Sequence, residues 1–469
     1  MKRRLLTLGI VLVVLAGLVG AYLVVTRPRP VKAASTAPAL ISADKDKLMK
    51  IVLSDRAEGT LTLEKKGKSW SVDSSRQFAL DQSNLDDIVL TFTSLTAERV
   101  IDEKPADLAQ YGLAPPRAVG EAFFSDGTTK TLLLGDKTPT GNAYYLQVKG
   151  DAKVYTVWTN HGEQMHWRLA DLRDKRISPE IAYDKITYFR LSRADGPVIE
   201  LKQKTEEQNK TFQLGFSRYL MTRPYSYPRG VDSEKQDQLI KGPQQIQISS
   251  FVNDAPKNLA PYGLATPRAE VIVRDASNTL DFLIGSEAGP DKTYFSIRGR
   301  PAVYTTTTSS LSFLKTTPWD IVDKFVFIPN IDDVDRIDIS SEGASHSLAI
   351  ARVTKKAEKA GEKATVEATY SVDGKTVEED SFKAFYQQLV GMQVEGEAAR
   401  KVPETPDVTV RFFLNKGLSR TATITYARYD RDFDAVFLNG KNDFAIGRQQ
   451  LTKMLEKLEA LAKGEKVTS

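Results

Sequence analysis

Apolar and polar positions along this chain fall into one series of elements that runs through three times. Lys50-Ile-Val-Leu-Ser54 and Gly59-Thr-Leu-Thr-Leu63 alternate as strands do, and Ser69-Trp-Ser-Val-Asp73 follows a Gly67-Lys68 turn. The same order returns as Ile186–Leu191, Val198–Leu201 and Thr211–Leu214, and again as Val334–Ile339, Ser347–Ile350 and Tyr370–Asp373. A helix comes next in each round. Leu85, Ile88, Val89, Phe92 and Leu95 recur at three- and four-residue spacing and predict a helix over 84–98. Asp232 and Glu378 open its second and third versions, near the start where acidic side chains suit exposed N–H groups. A strand meander with glycine turns at Gly150, Gly299 and Asn439-Gly440 closes each round. Helices are then predicted near 160–172, 309–325 and 448–461.

Between helix and meander lies a repeated motif. Asp107-Leu-Ala-Gln-Tyr-Gly-Leu-Ala-Pro-Pro-Arg-Ala118 returns as Asn258-Leu-Ala-Pro-Tyr-Gly-Leu-Ala-Thr-Pro-Arg-Ala269. A repeat this long signals a duplicated module. Each position has a structural role. Asp107 and Asn258 cap a short turn, Tyr111 and Tyr262 pack, and Gly112 and Gly263 end the turn left-handed. Leu113 and Leu264 pack back, and Pro116 and Pro267 launch a strand. Arg117 and Arg268 are expected in ion pairs within their modules. The third round keeps only Pro403-Glu-Thr-Pro406 at this place.

The predicted architecture is α+β: three tandem modules of mainly antiparallel sheet with packed helices, after one N-terminal transmembrane helix. Residues 1–4 form a cytoplasmic tail, 5–25 a signal anchor and 26–45 a tether. The modules cover 46–180, 181–328 and a divergent 329–469. The apolar run Leu5–Val25, behind Lys2-Arg-Arg4, spans about 31 Å as a helix, enough to cross a bilayer. Everything after it is expected outside the cytoplasm.

Composition changes the picture only by exclusion. The 65 Lys and Arg are interspersed with 60 Asp and Glu, without the basic concentration a nucleic-acid protein needs. The chain has no cysteine, which rules out disulfides, thiolate metal sites and cysteine nucleophiles. The charged insert Lys355–Lys363 reads as a solvated loop.

Catalytic patterns fail one by one. Gly67-Lys68-Ser69 lacks the leading glycine and the following helix of a phosphate loop. His161 and His166 are five apart around Glu163, so the rings diverge on a helix. His346 stands alone near a turn. Asp430, Asp432 and Asp434 share one face if extended, but Ala435 and Lys441 break the calcium-loop pattern. Ser312-x-x-Lys315 lacks its companion motifs. No catalytic residue, cofactor or metal is assigned. The best contact candidate is the segment carrying Arg218, Tyr219, Arg223, Tyr225, Tyr227 and Arg229, because Tyr and Arg are enriched at binding hot spots.

With Asp126-Gly-Thr-Thr129, Leu132-Leu-Leu-Gly-Asp-Lys-Thr-Pro139 and Tyr144-Tyr145, the repeated motif resembles the bacterial domain of unknown function 4340. The resemblance is specific in the first round, clear in the second and weak in the third. It implies a membrane-anchored, extracytoplasmic protein encoded beside ABC-type transporters of the gliding-motility and auxiliary-subunit type. It carries over no catalytic residue. The expected function is a non-enzymatic, membrane-tethered scaffold with an envelope protein partner, as an accessory to such a transporter. The alternatives are a cell-wall glycan or other envelope-ligand module using Tyr219, Tyr225 and Tyr227, and a cryptic hydrolase built across modules.

Overall fold

In the computed structural model, strand β1 (Leu48–Asp55) places Leu48, Ile51 and Leu53 fully inside. Leu48 and Ile51 are three apart, yet both point inward because a bulge between Leu48 and Lys50 resets the alternation. The structure describes residues 37–73, 78–177, 179–209, 215–355, 365–417 and 419–468. The expected tail, the anchor Leu5–Val25, the strand Thr211–Leu214 and the insert beyond Lys355 lie outside them. Among the described residues, no helix is long and apolar enough to cross a membrane.

The first sheet adds β2 (Gly59–Lys66), β3 (Ser69–Val72), β4 (Arg99–Asp102), β5 (Ala118–Phe124), β6 (Thr129–Lys137), β7 (Ala143–Val148) and β8 (Val154–Trp158). Their order across the sheet is β3-β2-β1-β5-β6-β7-β8-β4, with antiparallel pairing throughout. The second and third sheets have nine strands each in the same order, with one two-residue strand added beyond the counterpart of β3. The fold is therefore α+β, three antiparallel sheets of one topology with helices packed on them. The third sheet keeps this order although it has lost the repeated motif.

Helix Gln82–Thr93 buries Leu85, Ile88 and Phe92, and Asp81 accepts hydrogen bonds from the amides of Ser83 and Asn84 at its start. It ends five residues before the predicted stop, because Leu95 and Ala97 leave the helix to pair with the chain near Pro38. That segment, counted with the tether in the sequence, belongs to the first module: Leu40 N–H donates to the Leu95 carbonyl and Ile41 is buried. Its two apolar side chains outweigh its Pro/Ala/Ser composition. The helix predicted near 160–172 is two short helices, Thr159–His166 and Leu169–Leu172. That predicted near 309–325 is a 3-10 stretch, Thr308–Lys315, and one turn, Pro318–Ile321, separated before Pro318. Helix Arg448–Ala462 matches its prediction. The hairpin at Asn439-Gly440 has both residues at positive φ, 51° and 78°, as an Asn-Gly turn requires.

The chain divides into two compact units, the first up to Asp174 and the second from Lys175. The second unit contains the second and third sheets.

Candidate functional site

The segment singled out for contact is built into the second sheet. Tyr219–Arg223 forms the counterpart of β3, paired antiparallel to Gly196–Gln203. Tyr219 is buried and donates from its hydroxyl to the Ile186 carbonyl at 2.7 Å. Arg218 is half-buried and donates to the Asp184 carbonyl at 2.6 Å.

From Pro224 the chain leaves the sheet and reaches the third module. The Tyr225 hydroxyl donates to Glu397 at 2.7 Å, and its ring lies 4.6 Å from that of Phe444. Burial pushes this phenol well above its ordinary pKa, and Glu397 adds to the effect. Ser226 donates from its amide and hydroxyl to the Asp443 carboxylate at 2.8–3.0 Å. Arg229 is buried, lies 5.0 Å over Phe444, and donates to the carbonyls of Phe325 at 2.6 Å and Val326 at 3.2 Å. Burial lowers its pKa, opposed by Asp323. The same burial raises Asp323 and brings Lys204 down to about 8.

The expectation of an exposed docking segment is therefore corrected. Tyr219, Tyr225 and Arg229 are buried, Tyr227 is half-buried, and Arg223 alone of the six is exposed. The hot-spot chemistry is real, but much of it is spent on the third module of the same chain. A buried guanidinium is costly unless its donors are satisfied, and the carbonyls of the connecting segment satisfy most of them.

The repeated motif makes the contacts read from its sequence, except at Arg268. Asp107 accepts from the Ala109 amide at 2.8 Å and Asn258 from that of Ala260 at 2.9 Å. Gly112 and Gly263 are left-handed at φ 68° and 66°. The Tyr111 ring meets Tyr145 edge-on at 5.1 Å, and Tyr262 meets Tyr294 at 5.2 Å. Leu113 and Leu264 are buried. Pro116 and Pro267 stand two residues before strands that begin at Ala118 and Ala269. Arg117 pairs with Asp136 at 2.5 Å, while Arg268 donates to the Thr293 hydroxyl at 3.3 Å instead.

The sequence profile of the family described as Domain of unknown function (DUF4340) matches residues 70–217 and 220–410. The chain belongs to this family. Comparison with curated proteins and with solved structures gives no significant match to either. The two matched DUF4340 segments are out of step with the sheets. The first begins in β3 and ends just before its counterpart, Tyr219–Arg223, where the second begins.

Sequence reading missed the partner of the motif. A Cβ on Gly135 would lie 2.1 Å from the Tyr111 carbonyl oxygen, and one on Gly285 would lie 2.1 Å from that of Tyr262. Only glycine lets the turn lie on the sheet there. The pairings Ala118 with Leu134, Ala269 with Ile284 and Val408 with Tyr426 make Ala427 the third counterpart. The module without the motif has a methyl group where the other two have none.

The remaining chemical candidates are held in local contacts. The His161 ring bonds to the Thr91 hydroxyl at 2.8 Å, and His166 bonds to Asp55. Burial lowers the pKa of both imidazoles. Glu163 accepts from Lys137 at 2.9 Å and from Tyr144 at 2.8 Å. Asp430 accepts from the amides of Asp432 and Phe433 in a turn that precedes the strand Phe433–Leu438, which holds Asp434, so the three aspartates do not line one strand face. Asp434 is buried against Arg448 at 2.5 Å, and burial raises its pKa to about 6. His346 is not alone: it sits in a strand between Asp373 at 2.7 Å and Glu459 at 3.1 Å. Among the described residues, no group of three or more His, Asp or Glu side chains could hold a metal ion.

Proposed function

We propose that this DUF4340 chain is a non-enzymatic scaffold, tethered to the bacterial inner membrane by residues 5–25 with its modules outside the cytoplasm. In this reading it works as an accessory to an ABC-type export or motility machine, and its partner is an envelope protein. The observation that carries the scaffold reading is the joint between the second and third modules. Tyr225, Ser226 and Arg229 tie two large sheets into one body, and a preorganised surface of that size suits protein recognition. The apolar run Leu5–Val25 supports the tether.

Crosslinking in intact cells, followed by purification of the full chain, tests this. The expected result is repeated recovery of an envelope or transporter protein, lost when residues 5–25 are replaced by a cleavable leader. Recovery of no such protein would remove the proposal. Glycan binding through Tyr219, Tyr225 and Tyr227 is less favoured, because the first two are committed to internal contacts.

A further inference from the structure

The regions around Arg117 and Arg268 differ in charge, and the sheet register shows which residues correspond. Ala118 pairs with Asp55 in the first module, and Ala269 pairs with Arg193 in the second. Leu134 corresponds to Ile284, so Asp136 corresponds to Ser286 and Lys137 to Glu287. The last meander strands end at Trp158 and Thr307. Equally far beyond them, Asp171 and Asp320 accept from the amides of Arg168 and Thr317. Glu163 therefore corresponds to Ser312, and His166 to Lys315.

In the first module these groups are paired with one another. Arg117 meets Asp136 at 2.5 Å, Lys137 meets Glu163 at 2.9 Å, and Asp55 holds His166 and Arg168. In the third, Asp407 takes the place of Arg117 and pairs with Arg448 at 3.9 Å. The second module has replaced Asp55, Asp136 and Glu163 by Arg193, Ser286 and Ser312. An open groove of about 1010 Å³ lies there. Arg193, Arg268 and Lys315 line it, and so do Asp195, Glu287 and Asp291. Among the described residues, none of these six charged side chains is in an ion pair. Arg193 donates to the carbonyls of Leu314 at 2.5 Å and Thr316 at 2.7 Å, which leaves its charge without a counterion. Thr308, Ser309, Ser312 and Thr317 add hydroxyls, and two leucines and two alanines complete the wall.

We infer that this groove binds a short peptide with free ends. Unpaired charges of both signs suit a ligand that carries both, and an ion of a single sign would be repelled by half of them. Such a peptide brings a carboxylate for Arg268 and Lys315, an ammonium for Glu287 and Asp291, and amide groups for the hydroxyls. Ser312 and Lys315 stand three apart in a 3-10 stretch, where such residues eclipse, so one face presents a hydroxyl and a cation together. The carboxylates that the first module keeps in its own chain come, in the second, from the ligand.

Saturation-transfer NMR on the full protein in detergent, with trialanine as the probe, tests this. Trialanine is expected to receive saturation. N-acetyl-trialanine and trialanine amide, each lacking one terminal charge, are expected to bind about two- to fivefold more weakly. Phosphoethanolamine, a zwitterion without amides, is expected to bind more weakly than trialanine. Lys315→Glu and Glu287→Lys, both at exposed positions, should each cut trialanine binding about two- to fivefold with the melting temperature kept. Arg117→Ala in the first module should leave it unchanged. No transfer to trialanine, equal binding of all three peptides, phosphoethanolamine binding as well as trialanine, or binding unchanged in both folded charge variants would overturn the inference. Should a variant fail to fold, the peptide series on the unaltered protein still decides. No outcome bears on the protein partner proposed above.

Discussion

The first two modules and the third build the same strand order by different local means. Modules one and two lay a capped turn on the sheet and keep Gly135 and Gly285 bare to admit it. Module three has no such turn and carries Ala427, which is buried in a small cluster with Ala435 and Phe437. The order of strands therefore does not depend on the motif. What the motif determines is the covering of one patch of sheet, and glycine is required only where that covering exists.

Five substitutions can break or sharpen this contrast, read by calorimetry of the full chain, in which the two compact units are expected to melt separately. Arg229→Ala should have the largest effect, about 3 kcal/mol, by leaving the carbonyls of Phe325 and Val326 without their buried donor. It should lower only the transition of the unit from Lys175 onward, and a shift in the other transition would refute the assignment. Gly135→Ala comes next, about 1–3 kcal/mol, because its methyl group would overlap the Tyr111 carbonyl. The mirror change Ala427→Gly should cost only about 0.5–1 kcal/mol, the penalty of glycine in a strand. If the two costs came out equal, the turn would not be the reason for the glycine. Asp107→Ala should cost about 1 kcal/mol through its lost cap. The exposed Arg117→Ala should change nothing measurable, despite the Asp136 contact.

A pH dependence is also expected in the transition of the unit from Lys175 onward. Burial pulls His346 down, but its bonds to Asp373 and Glu459 outweigh this and raise its pKa above 6.5. A raised folded pKa means that the stabilisation is complete below the unfolded value and is lost as pH rises through the folded one. The second transition should therefore weaken as pH rises above the ordinary imidazole value of about 6.5, by less than about 1 kcal/mol. His346→Gln should flatten that slope, and an unchanged slope would assign it to another group.

Much of the module was legible in the sequence, because alternation, helix spacing and the Asp-x-x-x-Tyr-Gly-Leu turn are local signals. The shortfall lay in contacts between distant residues. Nothing around Gly135 shows that a carbonyl 24 positions earlier approaches it. Tyr225 and Arg229 have the composition of an exposed hot spot, and the same composition serves a joint inside one chain. His346 looked solitary because Asp373 and Glu459 are 27 and 113 residues away.

The strand order also sets a timetable for synthesis. In every module the counterpart of β4 pairs with the last strand of the meander, as Arg99 pairs with Thr156. A growing chain must therefore carry that strand without its neighbour until the meander has been made. Pairings this distant fold slowly, and unpaired edges expose the nascent chain to misassociation. Three such waits follow one another along this polypeptide. Protection of the nascent chain should therefore be needed most once per module.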